Sequence, residues 1–452
     1  MHLLKAATVL LGSAYGVYSL EEYYKHNYTP RDLPPGLKNT KATICFANSI
    51  LQALSFDDTF ATEVDEVVKT AYKESKGTVE SRDALRKLRD ILRRLATIPS
   101  YKHLLDAEPV VSTFMDTSQE QDAHEFLTAL MHLIDGHRAK ATATSPKCSF
   151  AGVLGTPEMD PVRTAPLPSL TGTCTTSYTC INCCGRAPFS ISRFNSLLLP
   201  IPVPSDAQGT GANVLPSCTL ESCLDDFFKE EIIDGVACMK CGAVKLLPLM
   251  TERMMANLAS DDYMAGAEFT KGVDALQTFI HATNVGAAST GKIFEGVQVP
   301  LRPMPSRATK TTHLTALPQT LMLHINRVAM LRGQARKLRN KVIYPDKLDM
   351  GAYVGMPDGK DAPTGAVEGP DGVVMATEED IARYTRPEVW YNLKAVVCHA
   401  GNEAGGHYYT YRVSAGRVFK CSDRDVTEVS MDEMFTTRAF QMAVTLVYGR
   451  SG

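Results

Sequence analysis

The sequence has almost no charge imbalance. It carries 47 Lys and Arg against 50 Asp and Glu, a formal net charge of -3. No global field therefore draws it to nucleic acid or to anionic lipid. It lacks the run of about 20 apolar residues that a full membrane span requires. It has no internal repeat, which excludes solenoids and propellers. Its twelve cysteines are spread over 452 residues, too sparse for a small secreted disulfide scaffold. Four of them form two C-x-x-C pairs with no basic-aromatic cluster around them, so a zinc-ribbon nucleic-acid binder is disfavoured and no nucleic-acid partner is expected.

What is present suits a soluble globular chain: 44% hydrophobic and 21% charged residues. The length suggests two or three parts rather than one core. Ala6 to Leu20 carry no charge, and Leu3 and Leu4 extend the run past Lys5. A cleaved signal peptide, a short membrane anchor and a buried amphipathic segment all fit. The anchor (residues 1–20) is favoured, because no small-residue cleavage site precedes Glu21. Residues 21–35 form a tether ending in Pro34-Pro35.

Residues 36–170 are expected to be mainly helical to about 135 and loop-like from about 138. Leu85, Leu88, Ile91, Leu92 and Leu95 recur at helical spacing, as do Ala123, Phe126, Leu127, Leu130, Met131 and Ile134. Ser118 with Gln121 predicts a capping-box start for the second of these helices. Residues 171–350 contain strand-like stretches at 194–202 and 320–326 and an apparent insertion at about 255–310. Residues 351–452 begin with a Gly/Pro/Asp-rich loop to 376 and end β-rich, with strands expected at 391–399, 407–413 and 442–448.

Two segments carry nucleophile chemistry. Gly36 to Thr43 is polar and turn-forming, and Cys45 falls where a helical pattern begins. Unsatisfied N–H groups and the positive dipole end at that place are expected to lower the thiol pKa. Taken alone, Cys45 is better read as a buried structural cysteine. Late in the chain, His407 follows Gly405-Gly406 and opens a strand, where backbone and substrate can approach closely. A solvated hairpin histidine is the competing reading.

Five ordered stretches change the balance. Gly36 to Leu54 resembles the cysteine box of the ubiquitin-specific proteases, and Tyr391 to Arg412 their histidine box. Glu120 to Leu127 is similar to the acidic-helix motif of that family, Leu317 to Arg327 to its leucine-rich strand, and Val342 to Asp349 to the strand that follows. The resemblance implies an α+β, papain-like cysteine protease fold with a helical thumb, a β-rich palm and zinc-ribbon fingers. It implies a deubiquitinase in which Cys45 attacks the carbonyl of the ubiquitin C-terminal glycine and His407 takes the thiol proton. Ubiquitin and ubiquitinated proteins are the expected partners. Asp122, Glu125, His399, Gly406 and Tyr408 would bind the ubiquitin tail. Cys180, Cys183, Cys238 and Cys241 would hold structural zinc at the fingertips, although Cys174 and Cys184 blur the register.

The match departs at two places. The family has Asn or Asp at the third triad position, and here Ser422 occupies it, followed by Asp423. A hydroxyl can fix the imidazole tautomer but cannot stabilise imidazolium by charge. A Cys-His-Ser set behind an N-terminal membrane segment is similar to the family type held in the mitochondrial outer membrane. The family also places an oxyanion-hole Asn five residues before the cysteine. Here Asn39 lies six before, because one residue is extra. Either the loop bulges to restore Asn39, or Thr40 fills the register, or the hole is weakened. A ubiquitin-binding pseudoenzyme is the alternative to an active enzyme.

Overall fold

The computed structural model describes residues 33–96, 104–138, 167–185, 190–202, 217–259, 263–281, 301–331, 333–355, 367–368, 374–375, 388–402, 405–414 and 416–451. The expected anchor at 1–20 and most of the tether lie outside them. Among the described residues no helix is long and apolar enough to cross a membrane.

A helical layer is built from Cys45–Leu54, Asp58–Lys73, Val79–Ala96 and Ala123–His137. The leucine spacing acts as expected: Leu85, Leu88, Ile91, Leu92 and Leu95 are the buried face of Val79–Ala96. The expected capping box at Ser118 is not formed. Ser118 instead bonds Asp116, and the helix starts at Ala123 with Asp122 as its cap. Asp122 satisfies two orphan N–H groups there, a feature worth about 1 kcal/mol.

The main sheet runs in the order 425–429, 417–422, 406–414, 390–401, 443–450, 320–325, 197–199. All its neighbours are antiparallel except Leu197–Leu199 beside Thr320–Ile325. Thr320–Ile325 is buried at every residue, as expected of a strand covered on both faces. The sheet thus draws strands from both the 171–350 and the 351–452 stretches.

A second sheet of four strands, in the order 190–194, 172–180, 304–316, 231–238, stands apart from it. The insertion expected at 255–310 begins earlier, as a helical pair, Met239–Ala259 and Tyr263–His281, with its own small core around Met250, Leu276 and Phe279. The sequence hid its start because Met239 follows the strand ending at Cys238 without an intervening turn.

The Cys45 helix is buried along its whole length. It is pinned to the main sheet by polar contacts that only a covered interface needs. Thr410 donates its hydroxyl to the Ser49 carbonyl at 2.8 Å. The fully buried Arg412 donates to the Gln52 side chain and to the Leu95 carbonyl, both at 3.1 Å.

Candidate active site

The site forms where the helical layer meets the main sheet. Cys45 is the first residue of its helix, and the preceding Ile44 offers no side-chain cap, so the first N–H groups have no partner within the helix. The thiol is only 1% exposed. Its pKa nevertheless moves opposite to the sequence expectation: burial pushes it up, and Asp423 and Glu120 push it further. The Tyr408 and Phe46 backbones oppose this. Desolvation and two carboxylates outweigh the helix terminus, so the resting group is a thiol that needs a base.

His407, the residue expected as base, is the chain neighbour of Tyr408, whose backbone bonds the thiol. His407 is half-exposed, and its Nε2 lies 2.8 Å from the Ser422 hydroxyl. This leaves Nδ1 for proton transfer. Nδ1 is 4.0 Å from the Asp423 carboxylate.

Asp423 is a junction that its place in the sequence does not announce. One carboxylate oxygen accepts from Asn39 Nδ2 at 2.9 Å and the other from Asn48 Nδ2 at 2.8 Å. Its backbone carbonyl accepts from the Leu37 N–H at 2.8 Å. It adopts φ 50°, an uncommon conformation outside glycine but one Asp tolerates. The residue thereby joins both ends of the cysteine loop to the end of the Ser422 strand.

The extra residue before Cys45 is absorbed as a turn. Ala42 sits at φ 59°, where an alanine costs about 1–2 kcal/mol. The Ala42 N–H bonds the Asn39 carbonyl at 3.3 Å, and the Ile44 N–H bonds Asn39 Oδ1 at 3.1 Å. Asn39 is thus returned to the helix N-terminus, while Thr40 is exposed in the turn. The Thr43 hydroxyl holds the loop to the Thr117 carbonyl at 2.7 Å.

The remaining sequence-selected residues sort by geometry. Asp122 is the cap of the helix, one residue before its first turn, and also accepts from the Tyr408 hydroxyl at 3.2 Å. Glu125 is exposed on the first turn. His399 stacks on Tyr408, with ring centres 4.3 Å apart, and its Nδ1 accepts from Lys337 at 2.7 Å. Burial and the Lys337 charge bring its pKa down to about 4, so the ring is neutral. Gly406 has no room for a side chain: a Cβ would lie 2.5 Å from Gly401 Cα and 2.6 Å from the Ala400 carbonyl.

Glu120 was missed by sequence reasoning, which read the motif for Asp122 and Glu125. Its Oε2 accepts the Gly406 N–H at 3.0 Å, joining the two walls of the site. The sequence signal was its adjacency to the acidic motif. Since Glu120 raises the Cys45 pKa, Glu120→Gln should shift the pH profile of Cys45 alkylation to lower pH. The glutamine carbonyl can still accept from Gly406. The pH dependence of iodoacetamide labelling measures this, and an unmoved profile would remove Glu120 from control of the thiol.

The four paired cysteines converge as expected. Their sulfur atoms all lie within 4.8 Å of one another, with Cys180 to Cys241 at 3.6 Å and Cys183 to Cys238 at 3.4 Å. Zinc–sulfur bonds of ~2.3 Å in a tetrahedron place sulfurs about 3.8 Å apart, so the set fits zinc. The N–H groups of Gly185 and Cys241 point at the Cys183 and Cys238 sulfurs, each at 3.4 Å. Cys174 and Cys184 stand outside the cluster: Cys174 is buried in its strand and Cys184 is exposed at φ 52°. The cluster joins the strand ends to the start of the Met239–Ala259 helix. Prolonged chelation should therefore release one zinc per chain and lower the melting temperature. Metal analysis and calorimetry check this; no metal in freshly purified protein would count against a zinc site.

Comparison with known proteins agrees with this geometry. The family model described as ubiquitin carboxyl-terminal hydrolase matches residues 35–448. Ubiquitin carboxyl-terminal hydrolase 27 of Arabidopsis thaliana is 23% identical over 431 residues, covering 87% of this chain and 78% of that protein. Ubiquitin carboxyl-terminal hydrolase 30 of Xenopus tropicalis is 25% identical over 252 residues, 50% of this chain and 46% of that protein. The SAGA Ubp8/Sgf11/Sus1/Sgf73 DUB module bound to ubiquitin aldehyde shares the fold, with a TM-score of 0.55 and 18% identity over 96% of this chain and 74% of that one. Matched from the cysteine loop to the last strand of its main sheet, the chain belongs to the ubiquitin carboxyl-terminal hydrolase family of cysteine-type deubiquitinating proteases.

Proposed function

We propose that the chain is an active deubiquitinase that cleaves isopeptide or peptide bonds at the C-terminal glycine of ubiquitin, with a Cys45–His407–Ser422 triad. The observation that carries it is the 2.8 Å contact between His407 Nε2 and the Ser422 hydroxyl oxygen: with Nε2–H donating to Ser422, Nδ1 is the unprotonated nitrogen that takes the Cys45 proton. The thiolate attacks the glycine carbonyl, the amine leaves with the His407 proton, and water hydrolyses the thioester. Asn39 and the free N–H groups at the start of the Cys45 helix are the oxyanion donors in this scheme. Asp122, Glu125, His399, Gly406 and Tyr408 line the approach of the ubiquitin tail. Structural zinc steadies the second sheet.

The test is labelling by ubiquitin carrying a C-terminal electrophile. A stoichiometric adduct on Cys45 is expected. Tight binding without an adduct would identify a pseudoenzyme instead. We further propose action at a membrane surface, at the mitochondrial outer membrane, through the charge-free run Ala6 to Leu20. Deletion of residues 1–20 should release the protein from isolated membranes.

A further inference from the structure

Cys218 and Cys223 take no part in the active site or in the zinc cluster, yet their sulfurs lie 3.9 Å apart. Their positions explain the approach. Thr219 caps the helix Leu220–Phe228, its hydroxyl accepting the Ser222 N–H. Cys218 is thus the residue before the cap and Cys223 the fourth residue of the helix, the two places that an apolar staple normally brings together. Cys218 is partly exposed and bonds its N–H to the Lys341 carbonyl; Cys223 is fully buried.

An apolar staple has no use for a buried cation, and here there is one. Arg327 is 3% exposed and donates to the carbonyls of Ala443, Leu338, Asn340 and Phe440. Among the described residues it forms no salt bridge with a carboxylate. Its charge favours the thiolate at both Cys218 and Cys223. The larger influence is the hydrogen bond from the Cys223 S–H, which takes the Cys218 pKa below that of an ordinary thiol against the effect of burial, while Cys223 rises. The pair therefore presents one cysteine that is partly exposed and has the lower thiol pKa, and one enclosed sulfur 3.9 Å from it.

We propose that Cys218 and Cys223 form a second reactive thiol centre, which a peroxide converts to an intramolecular disulfide independently of Cys45. The Cys218 thiolate attacks one peroxide oxygen, the O–O bond breaks, and the departing hydroxide takes up a proton as water. Cys218 is then a sulfenic acid. The Cys223 sulfur attacks the Cys218 sulfur, the S–O bond breaks, and hydroxide leaves with the Cys223 proton as a second water. Two electrons pass from the sulfurs to the peroxide. A disulfide needs sulfurs about 2.05 Å apart, so side-chain rotation at the helix start must close the remaining gap.

The experiment uses the full chain carrying Cys45→Ala, kept in zinc-containing buffer, treated with hydrogen peroxide, alkylated and digested with trypsin. The peptide Phe194–Lys229 contains no cysteine besides these two. It should appear two hydrogens lighter and without alkyl groups, and should form faster than in the urea-unfolded chain. With Cys223→Ser added, dimedone should trap the sulfenic acid on Cys218. Full alkylation of both cysteines after peroxide treatment, pairing of Cys218 with a third cysteine, or absence of the dimedone adduct would each overturn the proposal.

Discussion

Cys45→Ala should abolish hydrolysis of a ubiquitin–fluorophore conjugate, a loss of at least about 10⁴-fold, while the protein still unfolds at nearly the same temperature. The chemical side follows from the proposed role of the thiol, which forms the acyl-enzyme. Without it, His407 and the oxyanion donors can bind and polarise the substrate but have nothing to transfer it to. The structural side follows from where the sulfur sits. Cys45 is 1% exposed, its neighbours Phe46 and Ala47 carry the packing, and Asp423 and Glu120 both oppose its ionisation. Exchanging one buried sulfur for hydrogen leaves a small cavity, costing about 1 kcal/mol or less in this setting. Hydrolysis assays and calorimetry on the same sample separate the two effects. Retained turnover in the folded variant would remove Cys45 as nucleophile.

Much of the site could be read from the sequence because the chemistry is local. The glycine pair before His407 and the turn before Cys45 each mark a place where backbone must be bare. The long leucine-spaced helix was legible because its stripe is unbroken from Leu85 to Leu95. Other features were not legible, because they depend on partners hundreds of residues away. Asp423 reaches Asn39 and Asn48 across 384 and 375 positions. Glu120 meets Gly406 across 286. The parallel pairing of Leu197–Leu199 with Thr320–Ile325 has no turn to announce it. The direction of the Cys45 pKa shift was misread for the same reason. A helix N-terminus is visible in sequence, but the depth at which it is buried and the carboxylates folded around it are not.

Asp423→Asn should slow turnover more than Ser422→Ala, and the two should fail differently. Ser422 accepts one neutral hydrogen bond from His407 Nε2 at 2.8 Å. Removing it frees the ring to take the wrong tautomer and costs on the order of 10–10² in rate, less than the ~10⁴ seen when a carboxylate is lost from a triad. Asp423 acts at more points. Its carboxylate holds Asn39 and Asn48, and Asn39 in turn holds the Ile44 N–H beside Cys45. An amide at 423 offers one acceptor in place of two and turns its own N–H groups toward one of those donors. The loop that carries the oxyanion donor then loses its register, at a cost of about 10²–10³. The thiol distinguishes this from simple damage. Asp423 opposes ionisation of Cys45, so Asp423→Asn should make Cys45 alkylate at lower pH even as hydrolysis slows. Ser422→Ala lacks that charge effect and should leave the alkylation profile in place. Rates of hydrolysis and of iodoacetamide labelling, measured across pH on both variants after calorimetry confirms folding, decide the matter. Faster turnover in Asp423→Asn than in Ser422→Ala would show that the register of the Asn39 loop does not depend on Asp423.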